Sequence, residues 1–257
     1  MTLKNKIVLI TGASSGIGAA SAKRFAEAGA KLILCARRID RLQTLAHELT
    51  NSYHTEVNAI QLDVTQQNEV EQLIQNLSPD WKDIDILINN AGLAYGLETL
   101  QDSHVKDWDA VIDTNVKGLL YVTKAILPIM IEKNAGHIIN LGSVAGHVVY
   151  PKGAVYCATK YAVHAITQGL RMDLFGKKIR VSSIDPGAVE TEFSLVRFRG
   201  DTKRAANVYE GMTPLTADDI ADAILYCATR PPHVNISEII MMPTDQAAAT
   251  LIAREGK

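Results

Sequence analysis

The chain has 257 residues, 47% of them hydrophobic, which fits one α/β domain with enough apolar surface to cover both faces of a sheet. A formal net charge of −2 offers no electrostatic basis for binding nucleic acid or an anionic membrane, and no apolar stretch approaches a membrane span. The polar start Met1-Thr2-Leu3-Lys4-Asn5-Lys6 leads into the first apolar run without a signal-peptide core, which predicts a soluble, cytoplasmic protein.

In chain order, Ile7-Val8-Leu9-Ile10 is a continuous, largely β-branched run suited to a strand buried on both faces. It enters Thr11-Gly12-Ala13-Ser14-Ser15-Gly16-Ile17-Gly18, and a helical pattern follows in which Ala19, Ala22, Phe25 and Ala26 face a sheet before Gly29. Strand, glycine-rich turn and helix form a phosphate site, because glycine lets the backbone approach a pyrophosphate and the helix start presents free N–H groups. The spacing Gly-x-x-x-Gly-x-Gly departs from Gly-x-Gly-x-x-Gly, and taken alone the cluster reads equally well as a tight turn.

A second strand over 32–35 ends at Ala36-Arg37-Arg38. Chains that bind NAD usually place a carboxylate here for the ribose hydroxyls. Ala36 followed by two arginines instead suits a 2′-phosphate, with Arg37 and then Arg38 as charge-assisted partners and Ser14 assisting. The plainer alternative is that both arginines begin a solvated helix with Asp40 and Arg41. Further strands are predicted over 57–62, 86–88, 137–141, 180–184 and 238–241, with helical patterns between them. Such alternation builds a doubly wound parallel sheet of Rossmann type, a single α/β domain with helices on both faces. Ligands then bind beyond the carboxyl ends of the strands, and Gly12, Asn89, Ser143 and Pro186 all fall just past such ends, which predicts one cleft. Residues 187–216 are too long for an ordinary connector and read as a substrate-closing lid, the alternative being a mobile surface loop. Cys35, Cys157 and Cys227 sit in apolar patterns without metal-ligand spacing, so three buried thiols and no metal site are expected.

Tyr156 and Lys160, at i and i+4, share a helix face one turn apart, and Ser143 precedes them in Asn140-Leu141-Gly142-Ser143. Bringing a phenol of reference pKa about 10 into use near neutral pH takes roughly 4 kcal/mol of phenolate stabilisation. A single cation at about 4 Å supplies roughly that at an effective dielectric near 20. Lys160 is therefore expected to make Tyr156 a proton donor and acceptor while the Ser143 hydroxyl holds the reacting oxygen. In isolation, Tyr-x-x-x-Lys is more often a half-buried ring beside a solvated ammonium.

These motifs, together with Asn89-Asn90-Ala91-Gly92, Asn115 in Asp113-Thr114-Asn115-Val116, and Pro186-Gly187, resemble the short-chain dehydrogenase/reductase family over essentially the whole chain and in the same order. Within that family, Glu192-Phe193-Ser194-Leu195-Val196-Arg197-Phe198-Arg199-Gly200-Asp201, His233-Val234-Asn235-Ile236 and Met241-Met242-Pro243 are similar to the NADP-dependent 3-hydroxy acid dehydrogenases.

The resemblance implies that Asn115 joins Ser143, Tyr156 and Lys160 as a fourth catalytic member, its backbone holding a water. It also implies that Gly12, Ser14, Ser15, Gly16, Ile17 and Gly18 cradle NADP, that Asp63 and Val64 meet adenine, and that Asn89, Ala91 and Gly92 border the ribose. Tyr156, Lys160, Pro186, Gly187, Val189 and Thr191 would line the nicotinamide end, although Thr191 is equally a plain helix cap. The implied reaction is reversible hydride transfer between nicotinamide and a hydroxyl-bearing carbon of a short 3-hydroxy acid, such as serine, allo-threonine or 3-hydroxypropionate. Broad carbonyl or diketone reduction would use the same residues, and a non-catalytic NADP-sensing regulator is a third reading on the same scaffold. Epimerisation or dehydration of a nucleotide sugar would call for Gly-x-x-Gly-x-x-Gly and a longer C-terminal domain, neither of which is present. A hydroxy acid needs a cation near the lid, and alternation with Val196 and Phe198 would let Arg197 and Arg199 point the same way. Helices over 105–131 and 155–175 resemble those that pair across subunits in the family, which implies a homotetramer or homodimer.

Overall fold

The computed structural model describes residues 3–256, so the first two residues of the polar start and Lys257 lie outside it. Seven strands alternate with helices: β1 (Ile7–Thr11), α1 (Gly16–Glu27), β2 (Lys31–Ala36), α2 (Ile39–Tyr53), β3 (Val57–Gln61), α3 (Gln67–Asn76), α4 (Pro79–Lys82) and β4 (Ile84–Asn89) form the first half. The second half contains α5 (Val105–Ile112), a π-helical segment (Asp113–Gly118), α6 (Leu119–Glu132), β5 (Gly136–Leu141), α7 (Ala154–Asp173), β6 (Ile179–Pro186), α8 (Glu192–Arg197), α9 (Thr202–Asn207), α10 (Ala217–Ala228) and β7 (Glu238–Met241).

All pairings are parallel, in the order β3-β2-β1-β4-β5-β6-β7. The order reverses between β1 and β4, and this is the switch point where a doubly wound sheet opens a crevice. Every residue of β1 is buried, because its side chains alternate between two cores. Val8 and Ile10 pack with Phe25 of α1, Leu42 of α2 and Ile224 of α10, whereas Ile7 and Leu9 pack with Val70 of α3 and Val122 and Ile126 of α6. Each fully buried side chain of this size contributes about 1.5–3 kcal/mol, which is why so apolar a strand stays at the centre. Among the described residues no helix is long and apolar enough to cross a membrane.

A buried polar ladder crosses the second core. Asn89 Nδ2 donates to Thr123 Oγ1 and Asn140 Oδ1, both at 2.9 Å, and Asn140 Nδ2 donates to Thr167 Oγ1 at 2.9 Å. It fastens β4 and β5 to α6 and α7, the helix that carries Tyr156 and Lys160. The single helix predicted over 105–131 is instead interrupted by the π-helical segment around Asn115, a wider turn of the sort often found at functional sites. Residues 187–216 fold into α8 and α9 above a short parallel bridge between Val189 and Leu215. All three cysteines are free and buried, and burial raises the Cys35 thiol to about 12.

Candidate active site

The turn after β1 must bend sharply and stay open. Gly12 and Gly16 have φ of +65° and +53°, in the left-handed region that L side chains avoid. A Cβ on Gly12 would lie 2.9 Å from Ala91 Cα, and one on Gly18 would lie 2.4 Å from the Gly12 carbonyl oxygen. Gly18 thus seats α1 against the turn, while Gly12, Ser14, Ser15, Gly16 and Ile17 line a cavity of about 720 Å³. The same cavity runs past Arg37, Arg38, Asp63 and Val64, crosses Ala91 and Gly92, and reaches Ser143, Tyr156, Lys160, Pro186, Gly187, Val189 and Thr191. Its size falls within the range of ligand sites, and it ends at the start of a helix. A bare backbone cradle at one end and arginines beside it fit a phosphorylated dinucleotide.

Around the cradle, Asn90 Nδ2 donates to the carbonyls of Thr11 at 2.9 Å and Gly12 at 3.1 Å. Asn89, expected beside the cofactor, lies beneath the cleft in the buried ladder instead. Consecutive residues leaving a strand point to opposite sides, so only Asn90 can face the turn. Asp63 Oδ1 accepts from the Thr65 backbone N–H at 3.0 Å and hydroxyl at 2.8 Å, which rigidifies the loop after β3.

The two arginines after β2 are not equivalent. No described residue forms an ion pair or side-chain hydrogen bond with the Arg37 guanidinium, although it lines the cavity. Arg38 is engaged: its Nη2 donates to Ser15 Oγ at 2.7 Å and Ser14 Oγ at 3.2 Å, and its Nη1 donates to Glu192 at 3.0 Å. Glu192 also accepts from Arg41 at 2.7 Å. Hydrogen bonds from Arg41, then Arg38, hold its carboxyl below the usual range. The first residue of α8 is thereby latched to the start of α2. Thr191 caps α8 by accepting from the Phe193 N–H at 3.3 Å, and its side chain also lies against Gly16, where a Cβ would come within 3.3 Å of Thr191 Cβ.

At the other end, α7 presents Tyr156 and Lys160 on the same face. Lys160 is 8% exposed and its Nζ donates to the Leu141 carbonyl at 2.7 Å, so the ammonium is anchored to the end of β5. Burial pulls its pKa down to about 8, opposed by Asp185. Its Nζ is 5.9 Å from the centre of the Tyr156 ring. Burial raises the Tyr156 phenol above its ordinary value, and the Arg197 guanidinium, followed by the Ser143 hydroxyl, acts in the opposite direction. Ser143 Oγ accepts from the Ala145 N–H at 3.1 Å and faces the carbonyl of Pro186 at 3.4 Å. Asn115 is 2% exposed. Its side chain exchanges hydrogen bonds of 2.9 Å with the backbone of Leu93 and donates to Thr159 Oγ1 at 3.1 Å.

Arg197 and Arg199 diverge rather than pointing together, because α8 ends between them and Arg199 takes a φ of +54°. Arg197 lies 4.9 Å from the Tyr156 ring and 5.2 Å from the Phe193 ring, and donates to Tyr150 Oη at 3.1 Å. Its Nε is buried without a hydrogen-bond partner among the described residues. Arg199 pairs outside the cavity with Asp107 and stacks on Tyr95 at 5.0 Å. Among the lining residues that the sequence reading did not single out are Tyr150, Asn90 and Gln246. Tyr150 stands in Val148-Val149-Tyr150-Pro151, an unpatterned aromatic ahead of a helix, which is at most a weak signal. Asn90 was visible as half of an Asn pair. Gln246, whose Oε1 accepts from the Ala188 N–H at 2.8 Å, comes from a C-terminal segment that carries no pattern.

A family model described as short chain dehydrogenase matches residues 6–200. The NADP-dependent 3-hydroxy acid dehydrogenase YdfG of Salmonella typhi is 49% identical over 246 residues, covering 95% of this chain and 98% of its own. Serine 3-dehydrogenase of Agrobacterium fabrum is 45% identical over 94% of this chain and 95% of its own. Among solved structures, the closed form of serine dehydrogenase complexed with NADP+ superposes with a TM-score of 0.91 at 46% identity, covering 95% of this chain and 98% of that one. With the cradle, the Ser143, Tyr156 and Lys160 arrangement and the family match in agreement over most of its length, this chain belongs to the short-chain dehydrogenases.

Proposed function

We propose that this chain is an NADP-dependent dehydrogenase of short 3-hydroxy acids. NADP, when bound, supplies the hydride acceptor or donor. Gly12, Ser14, Ser15, Gly16 and Ile17 would hold its phosphates, Arg37 and Arg38 its 2′-phosphate, and Ala91, Gly92 and Thr191 the stretch towards the nicotinamide. The Tyr156 phenol takes the substrate hydroxyl proton during oxidation and returns it during reduction, while the Ser143 hydroxyl donates to the same oxygen. The buried Lys160 anchors the end of β5 against α7 and supplies positive charge beneath the site. Asn115 positions the loop at Leu93, and its π-helical turn widens the backbone next to Lys160. Residues 187–216 form the lid, with Glu192 as its latch.

The observation that carries the substrate class is Arg197. A guanidinium beside the reacting phenol, with a buried, unpartnered Nε and no carboxylate paired to it among the described residues, is costly unless an anion arrives. A substrate carboxylate meets that need and leaves the 3-hydroxyl near Tyr156. The test compares a 3-hydroxy acid with its methyl ester in wild type and Arg197→Ala. A loss of kcat/KM of at least about tenfold confined to the acid supports the assignment, the scale for losing a charged hydrogen bond. An ester that is the better substrate of the wild type makes general carbonyl reduction the function.

We also infer self-association into a homotetramer or homodimer. Met172 and Phe175, at the end of α7, are 73% and 93% exposed, and Val105 of α5 is 61% exposed, which leaves an apolar surface that a partner helix would cover. Light scattering should return two or four times the 28.0 kDa of one chain, and a monomer would remove the inference.

A further inference from the structure

Away from the cleft, four side chains from four parts of the fold converge on one point. His147 follows β5, His164 lies on α7, Asp185 on β6 and Glu238 opens β7, and their ligand atoms all lie within 4.8 Å of one another. His147 Nε2 is 2.9 Å from Asp185 Oδ2 and 3.5 Å from Glu238 Oε1, and His164 Nδ1 is 3.0 Å from Glu238 Oε1. Ligand atoms around a tetrahedral zinc ion at about 2.0–2.1 Å are roughly 3.3 Å apart, so the three short separations bracket the required edge, and the other pairs, up to 4.8 Å apart, would close by rotation of the partly exposed His164 and Glu238 side chains as the ion binds.

Charge leads to the same place. Two carboxylates with two neutral imidazoles carry −2, and among the described residues neither carboxylate forms a salt bridge with a lysine or arginine. Asp185 has only 1% of its side chain exposed, so water does little to compensate it, and the Lys160 ammonium that acts on it through space is bonded to the Leu141 carbonyl, which leaves most of the cluster's charge unmatched.

We propose that His147, His164, Asp185 and Glu238 form a binding site for a divalent metal ion of the zinc class. The mixed imidazole and carboxylate donors suit Zn²⁺ or Co²⁺ better than the oxygen-seeking Mg²⁺ or Ca²⁺. Outer partners are already in place. Ser183 Oγ donates to Asp185 Oδ1 at 2.6 Å, which leaves Oδ2 turned towards the metal position. The Gln168 amide lies 2.6 Å from His164 Nε2, and since amide O and N are interchangeable, its oxygen can accept from Nε2–H and leave Nδ1 bare for the ion. Room for Asp185 depends on Gly142, where a Cβ would sit 1.7 Å from Oδ1. The ion can enter from solvent, because His147, His164 and Glu238 are 23%, 26% and 32% exposed. A bound ion would pin the edge strand β7 to α7. The four ligands have no spacing motif, which is why the sequence predicts no metal site.

Equilibrium dialysis of chelator-treated protein against ZnCl₂ should find one ion per chain. His164→Ala and Glu238→Gln, both at partly exposed positions, should each weaken binding by at least about tenfold. Co²⁺ should produce the visible ligand-field bands of a four-coordinate site in the wild type, and a rise in Tm with Zn²⁺ should vanish in both variants. Binding that is sub-stoichiometric, or unchanged in both variants, would overturn the proposal in favour of a hydrogen-bonded cluster sharing protons. If a variant does not fold, the wild-type Co²⁺ spectrum decides alone, and absence of those bands rejects the site.

Discussion

The guanidinium carbon of Arg197 lies 4.9 Å from the centre of the Tyr156 ring, while the only other arginine of the same short stretch, Arg199, is bound to Asp107 outside the cavity. Arg197 is thus the cation that offsets the effect of burial on the phenol. Its removal destabilises the phenolate, raises the Tyr156 pKa further, and should shift the acidic limb of kcat for alcohol oxidation to higher pH in Arg197→Met. Arg199→Ala should leave that profile in place. Tyr156→Phe should abolish the limb and cost at least about two orders of magnitude in turnover, the scale of acid–base catalysis. A pH–rate profile of Arg197→Met superimposable on wild type would remove Arg197 from this role.

Arg37 lines the cavity and its guanidinium has no side-chain partner among the described residues, so a 2′-phosphate would be its counter-ion. Arg37→Ala should weaken NADPH binding by about 1.5–3 kcal/mol and leave NADH nearly unchanged. Fluorescence titration with both cofactors reads the difference directly, and equal losses would point to a damaged fold.

Glu192 holds Arg38 at 3.0 Å and Arg41 at 2.7 Å, at the end of the cleft where the 2′-phosphate is expected. Its carboxylate competes with that phosphate for Arg38 and contributes like charge. These pairs are exposed and worth at most about 1 kcal/mol, so Glu192→Gln should tighten NADPH binding by no more than about fivefold while loosening the start of α8. Weaker NADPH binding in Glu192→Gln would show that the latch helps the cofactor instead.

Lys160 is released from its proton at about 8 in the fold but at 10.5 in the unfolded chain. Between those values the unfolded state binds more protons, so this residue makes stability rise with pH, and below about 8 the whole penalty, about 3 kcal/mol, is present. Lys160→Met should therefore be more stable than wild type at pH 7, by that amount less about 1 kcal/mol for the Leu141 carbonyl left without its donor. The advantage should shrink as pH rises from about 8 to 10.5. Urea denaturation of the cofactor-free proteins at pH 7 and pH 10 measures it, and a difference independent of pH would contradict buried-charge destabilisation.

Much of this molecule is written locally. Ile7-Val8-Leu9-Ile10 leads into Gly12 and Gly16 because a strand buried on both faces, followed by left-handed glycines, leaves few other conformations. The i, i+4 spacing of Tyr156 and Lys160 determines that they share a face wherever the helix is placed. Ala36-Arg37-Arg38 likewise puts two arginines and no carboxylate at a strand end, which is a matter of residue type alone.

What surrounds those residues was not local. Asn89 and Asn90 are neighbours in sequence, and only the pairing of β4 with β1 and β5 decides which faces the turn and which is buried in the ladder. Arg197 and Arg199 alternate like strand residues, but a helix ends between them and sends one to Tyr156 and the other to Asp107. The phenol's electrostatic partner is set by α8 packing over α7, a contact between segments about forty residues apart whose energy depends on burial. His147, His164, Asp185 and Glu238 meet only because β5, α7, β6 and β7 are adjacent in space. Helical and strand periodicity is a property of a few consecutive residues, whereas desolvation and charge pairing are set by whatever the completed fold brings within a few ångströms.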